Sequence, residues 1–180
     1  DTVALTGNTA FAAATYFDNV QNIEVITVGN TNTVVTITTQ DILVAAGATL
    51  TLTNAANSGV LTFDGSAETD GAFTITGGTG NDSITGGSGN DTFSGGTGND
   101  TFIFAAGTGL TTDIVNGGTG TDTVTLMGTT AVTATQFNNV SNIEVIALPD
   151  MVNTAVNITT VNALVAAGAT LILSNAANSG

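Results

Sequence analysis

The sequence predicts an all-β chain built as a parallel solenoid, and three observations carry that expectation. Its apolar residues fall in short β-branched and aliphatic runs that alternate with Thr, Ser or Ala, separated by Gly, Asn and Asp. A nine-residue unit recurs in the middle of the chain, three times without insertion. A much longer unit recurs as well: residues 1–59 return as 122–180, offset by 121 residues at both ends and 120 in the middle. Repetition at fixed periods marks an array whose coils pack mainly on their neighbours.

Taken in order, Thr2–Gly7 (TVALTG) reads as a strand with Val3 and Leu5 on one face. Residues 10–18 (AFAAATYFD) read as one or two helical turns or a loop. Ile23–Val28 (IEVITV), Thr33–Thr39 (TVVTITT) and Ala48–Thr53 (ATLTLT) read as strands, with a helical turn over Asp41–Gly47 (DILVAAG). Val60–Phe63 and Ala72–Thr76 are strands leading into the nonapeptides. The second copy then begins: DTVTLMG at Asp122 matches DTVALTG at Asp1, and NVSNIEVI at Asn139 matches NVQNIEVI at Asn19. The stretch ending NAANSG at Gly59 returns ending NAANSG at Gly180. Because the chain begins and ends inside this pattern, a longer parent is expected, with a GGTGT-like loop before Asp1.

The nonapeptides are GGTGNDSIT, GGSGNDTFS and GGTGNDTFI, beginning at Gly77, Gly86 and Gly95, with a fourth, GGTGTDTVT, at Gly117. Glycines at the first, second and fourth positions permit a tight turn and positive φ. Asn81, Asn90 and Asn99, at the fifth, suit a left-handed conformation. A backbone bent this way turns several carbonyl oxygens to one side, and the sixth position adds a carboxylate: Asp82, Asp91, Asp100 and Asp122. A cluster of hard oxygens suits Ca²⁺. The eighth position (Ile84, Phe93, Phe102, Val124) begins a strand that buries its side chain. Each nonapeptide makes half a coil, so loops 18 residues apart stack, 77–82 over 95–100.

Three units in register and a fourth nearby resemble the RTX, or haemolysin-type, calcium-binding repeat over residues 77–125. The resemblance implies a right-handed parallel β-solenoid containing a β-roll at 64–125, flanked by β-rich blocks at 1–63 and 122–180. It implies several Ca²⁺ ions between stacked loops, held by Gly77, Gly78, Thr79, Gly80 and Asp82, and by Gly86, Gly87, Ser88, Gly89 and Asp91. Further ligands would come from Gly95, Gly96, Thr97, Gly98 and Asp100, and from Gly117, Thr119 and Asp122. Asp113 is expected to close a degenerate loop over Asp91, since Gly107 and Gly109 keep the glycine pattern. The preceding loop DGSAETDG offers Asp64, Glu68 and Asp70, either as ligands under loop 86–91 or as a solvated turn. Glu24 and Glu144, inside IEVI runs, read as solvent-facing strand carboxylates. Asn139-Val140-Ser141 and Asn157-Ile158-Thr159 are glycosylation sequons by pattern, a triplet that chance supplies often.

Composition narrows the function. The 180 residues contain no Lys, Arg or His against 14 acids, a formal charge of −14. An internal ion pair is possible only at a chain terminus, so clustered carboxylates need N–H donors, water or divalent cations. Nucleic-acid binding is excluded, because nothing can neutralise phosphate. No enzyme is expected: without His, Cys or Lys there is no imidazole base, thiolate or amine. No apolar run is long enough to span a bilayer, so no membrane insertion is expected, and no signal peptide is visible.

The expected function is a calcium-binding structural or assembly module of a secreted surface-layer, filament or adhesin protein. Its partners would be other copies or neighbouring repeats, and cell-surface polysaccharide. The alternative is a calcium-triggered secretion and folding segment of an RTX toxin or exoenzyme. Both imply an extracellular or cell-surface location, a bacterial source and type I secretion.

Overall fold

Alternation of apolar and polar residues gives each short strand one face to bury, and a second sheet facing the first supplies the burial. The computed structural model describes residues 1–6, 11–12, 17, 19–29, 32–105, 109–128, 131–133, 135–148, 157–159 and 163–174. These residues form a parallel β-solenoid. Its strands are β1 (Thr2–Leu5), β2 (Phe11–Ala12), β3 (Val25–Val28), β4 (Val35–Thr38), β5 (Thr49–Thr53), β6 (Leu61–Asp64), β7 (Ala72–Gly78) and β8 (Ser83–Thr85). They continue as β9 (Thr92–Thr97), β10 (Thr101–Ala105), β11 (Ile114–Thr119), β12 (Thr123–Met127), β13 (Val140–Ser141), β14 (Val145–Ala147) and β15 (Ile172–Ser174). From β1 to β14 the chain alternates between the sheets, odd strands in one and even strands in the other, and β15 joins the even-strand sheet beside β14. The connections therefore fall along two edges. The first edge carries the turns from odd to even strands, and the second carries the returns.

The space between the sheets is filled by one apolar cluster running from Phe17 to Leu164. The eighth-position residues Ile84, Phe93, Phe102 and Val124 are all fully buried in it. Aromatic rings bridge the sheets where the chain is richest in Phe. Phe63 meets Phe73 edge-to-face at 5.0 Å, and Phe93 lies 6.5 Å from Phe102 and 6.0 Å from Phe104. Such contacts add to area burial.

Register follows the spacing of the nonapeptides. Thr74 pairs with Thr92 and Ser83 with Thr101, so a coil there takes 18 residues. Elsewhere the turns lengthen, and a coil takes from 21 residues (Thr62 to Ser83) to 27 (Val145 to Ile172). Several details differ from expectation. The leading glycines of three of the four nonapeptides are not loop: Gly77–Gly78, Gly95–Gly96 and Gly117–Gly118 extend β7, β9 and β11, with Gly78 paired to Gly96 and Gly96 to Gly118. Asn81, Asn90 and Asn99 do not have positive φ; among the described residues the non-glycine residues that do are Asn22 and Asn142. Phe11–Ala12 is extended rather than helical, and most of the rest of 10–18 lies outside the described residues. The helical turn over 41–47 is a single 3₁₀ turn at Asp41–Leu43.

The long repeat is visible in the backbone. Glu24 and Val25 N–H donate to the Asp1 carbonyl as Glu144 and Val145 donate to that of Asp122. Ile23 donates to Leu43 as Ile143 does to Leu164. Asn22 and Asn142 share a left-handed φ of 55° and 53°. The copies nevertheless lie on opposite sheets: β1, β3 and β5 belong to the odd-strand sheet, and their counterparts β12, β14 and β15 to the other. One period thus spans a half-integer number of coils.

Phe93 packs against rings from the facing sheet with no exposure. We expect Phe93→Ala to cost about 3–5 kcal/mol, read as a lower urea midpoint in saturating Ca²⁺. An unchanged midpoint would show that the roll is not held by this core.

Candidate metal centre

The sixth-position aspartates stand at the edges, where each turn enters its next strand. On the first edge they form a ladder from coil to coil. Asp82 Oδ1 accepts from Leu61 N–H at 2.7 Å, and Asp100 Oδ1 accepts from Asp82 N–H at 2.8 Å. Asp122 Oδ1 then accepts from Asp100 N–H, and Glu144 Oε2 from Asp122 N–H, both at 2.8 Å. On the second edge Asp91 Oδ1 accepts from Phe73 N–H and Asp113 Oδ1 from Asp91 N–H, each at 2.8 Å. Every rung ties a carboxylate to the coil before it. The asparagines add an outer ladder: Asn81 Oδ1 accepts from Asn99 N–H, and Asn99 Oδ1 from Thr121 N–H.

Glu144 corrects the sequence reading. It is 7 % exposed, not solvent-facing, because the coil between Asp122 and Glu144 takes 22 residues, as does the one between Asp100 and Asp122. Equal coil length puts residue 144 where the next rung must be. That spacing was the available signal. Glu24, its counterpart, is half-exposed and pairs with the Asp1 amino group.

One oxygen of each carboxylate is thereby used, and in four of the aspartates the other is left over. Asp82, Asp100, Asp113 and Asp122 are buried, and the Oδ2 of each has no hydrogen-bond partner. Asp91 differs, its Oδ2 accepting from Gly87 N–H at 3.1 Å. Beside the free oxygens the backbone approaches so closely that no side chain fits. A Cβ on Gly77 would lie 2.3 Å from Asp82 Oδ2 and 2.2 Å from the Gly95 carbonyl oxygen. The same pair recurs one coil on, with Asp100 Oδ2 and Gly117 O beside Gly95, and again with Asp122 Oδ2 and Asn142 O beside Gly117. Carbonyl and carboxylate oxygens thus converge repeatedly, in a chain with no basic side chain. Calcium fits this donor set. Asp82, Asp100 and Asp122 with the carbonyls of Gly95, Gly117 and Asn142 would hold it on the first edge. Bound there, the ion would supply the positive charge that the chain lacks and take the free carboxylate oxygens as ligands.

Desolvation raises these acids. Asp82 and Asp91 are pushed up to about 6 and Asp100 and Asp113 to about 7, with Asp122 raised too, although backbone N–H donors oppose the shift. Neighbouring carboxylates add to it. Asp82 and Asp122 both act on Asp100, Glu144 acts on Asp122 and Glu68 on Asp91.

The other sequence candidates fall as follows. Thr79, Ser88, Thr97 and Thr119 have exposed side chains, leaving their backbones for the stack; Thr119 O accepts from Gly98 N–H. Gly80, Gly89 and Gly98 sit directly on carbonyls of the previous coil, Gly98 with φ +121° and a Cβ position only 2.2 Å from Gly80 O. On the second edge, Gly86 lies beside Asp91 Oδ2, and Gly87 faces Gly65 O and Glu68 O, so loop 64–71 stacks against loop 86–91. Asp64 Oδ1 is turned back to Ser66 N–H. Gly107 lies outside the described residues.

Residues 69–102 and 108–126 match the sequence profile of the RTX calcium-binding nonapeptide repeat, in four copies. No curated protein and no solved structure matches the chain. The chain carries RTX calcium-binding repeats and is a calcium-binding repetitive module.

Asp100 lies between two carboxylate rungs, Asp82 and Asp122, as Asp122 lies between Asp100 and Glu144, whereas Asp82 has a carboxylate rung on one side only. Asp100→Asn is expected to remove more calcium equivalents in calorimetric titration than Asp82→Asn, and equal losses would contradict this stacking order. The raised acids also set a pH dependence for the metal-free chain. Their folded-state pKa values exceed the ordinary 3.8, so their contribution to stability is fully present below about pH 4 and lost as pH rises through 6–7. In chelator, circular dichroism should show more β-structure at pH 4 than at pH 8, and Ca²⁺ should restore it at pH 8. A β-signal in chelator that is full at both pH values would refute it.

Proposed function

We propose that this calcium-binding chain is a structural and assembly module of a secreted, repetitive surface-layer, filament or adhesin protein. The observation that carries the reading is continuity. The same two sheets run through the β-rich copy at 1–59, the nonapeptides and into the second copy, with no break in strand order. A segment that served only to fold on export would need the nonapeptides alone. A scaffold needs its whole unit repeated, and here that unit includes its buried core and its carboxylate ladder.

The charge supplies the switch. At −14 without a basic side chain, neighbouring copies repel until divalent ions bind, and monovalent salt only screens them. Extracellular calcium modules bind with dissociation constants of about 10⁻⁴–10⁻³ M, so the chain would order on leaving a calcium-poor interior. This favours an extracellular, bacterial, type I-secreted setting, with neighbouring repeats and cell-surface polysaccharide as partners. The half-integer period would alternate the faces that successive copies present. Having neither His, Cys nor Lys, the chain has no evident catalytic group outside its stacked carboxylates.

Small-angle scattering on a polypeptide of two tandem periods tests this. In millimolar Ca²⁺ we expect a rod lengthening by about 4.8 Å per coil, and in chelator an expanded, flexible chain. A compact profile in Ca²⁺ would overturn the reading and leave the export segment as the better account.

A further inference from the structure

Outside the nonapeptide ladders, three carboxylates converge on the second edge. Asp41 comes from the 3₁₀ turn between β4 and β5, and Glu68 and Asp70 from the loop between β6 and β7. One oxygen from each lies within 4.8 Å of the others. The two connections are pinned together around them. Asp41 Oδ1 accepts from Thr69 N–H at 2.8 Å and from Thr69 Oγ1–H at 2.7 Å, and Asp70 O accepts from Gly47 N–H at 2.9 Å.

Acidic groups at a surface often cluster without consequence, but Glu68 is not at the surface. It has no exposure, and while its Oε1 accepts from Gly71 N–H at 2.7 Å and Asp70 N–H at 3.2 Å, its Oε2 is buried with no partner. A buried carboxylate oxygen without a donor is costly, and two further carboxylates stand beside it. No Lys, Arg or His exists anywhere in the chain to offset them.

We propose that Asp41, Glu68 and Asp70 form a separate divalent-cation site, which takes Ca²⁺ and clamps the β4–β5 turn to the loop that leads into the nonapeptides. The donors are all hard oxygens. The exposed positions of Asp41 and Asp70 leave room for water to complete the six to eight ligands that calcium takes. None of the three is the sixth residue of a nonapeptide; Asp41 and Glu68 lie before the residues that match the repeat profile, and Asp70 is the second of them. The second copy has Asn162 at the position corresponding to Asp41, so the site belongs to the first copy. Its effect is to extend calcium control from the roll into the preceding block.

Calcium titration of the 180-residue chain by calorimetry, against Asp41→Asn, Asp70→Asn and the double variant, tests this. Asn at position 41 keeps an oxygen for Thr69, so the turn should survive, and circular dichroism in Ca²⁺ checks that it does. We expect each single variant to lose the same one calcium equivalent and the double variant to lose no more. Amide exchange in Ca²⁺ should rise at residues 39–48 while the nonapeptide strands stay protected. Full stoichiometry and unchanged affinity in Asp41→Asn, alongside losses in Asp100→Asn, would overturn the clamp and leave the nonapeptide sites standing. A wild-type chain that binds no calcium would overturn both.

Discussion

Each coil that passes the calcium-binding edges buries a carboxylate, and the chain holds no basic side chain with which to pair it. That constraint orders the rest of the structure. Backbone N–H groups of the preceding coil satisfy one oxygen of each acid, which fixes the vertical register, and on the first edge the other oxygen of Asp82, Asp100 and Asp122 is left beside backbone carbonyls. Glycine follows as a consequence, since at positions such as Gly77 and Gly95 any Cβ would occupy the space where those oxygens meet. The apolar core is one continuous cluster. It cannot by itself offset stacked charge along an edge, because unit charges a few ångströms apart repel by about 1–4 kcal/mol each at surface-like dielectrics.

The ladder does not end where the nonapeptide pattern ends. Asp122 lies under Glu144 and beside the Asn142 carbonyl, both from the β-rich copy. Asp82 rests on Leu61 N–H, in the block before the roll. The β-rich blocks are therefore continuous with the calcium edge at both of its ends. Asn142 adopts positive φ without being glycine, a conformation that Asn tolerates better than most residues, and its carbonyl stands where Gly95 and Gly117 carbonyls stand in the coils before it.

Much of this was legible in the sequence, and for a physical reason. Strict nine-residue spacing leaves only one way to stack, so the burial of Ile84, Phe93, Phe102 and Val124 and the pairing of loop 77–82 with 95–100 follow from counting. Asp113 over Asp91 was also within reach, through the glycines around it. Glu144 departs from expectation because a lone acid in an apolar run reads as the outward face of a strand. Only the 22-residue coil length shows that it lies in line with Asp100 and Asp122. The position-five asparagines differ from expectation for a related reason: none has positive φ, and the side chains of Asn81 and Asn99 accept from the next coil's N–H groups.

The sequence by itself determined the all-β class, the repeat periods, the acidic edge and the calcium chemistry, because these depend on residue type and local spacing. Tertiary structure alone decided what depends on coil length outside the nonapeptides. Turns of variable length there carry no strict period, so sequence could not show that one long period ends on the opposite sheet. Nor could it bring Asp41 to Glu68 and Asp70, across more than twenty intervening residues. Both are outcomes of how many residues each turn takes before the next strand finds its place in the stack.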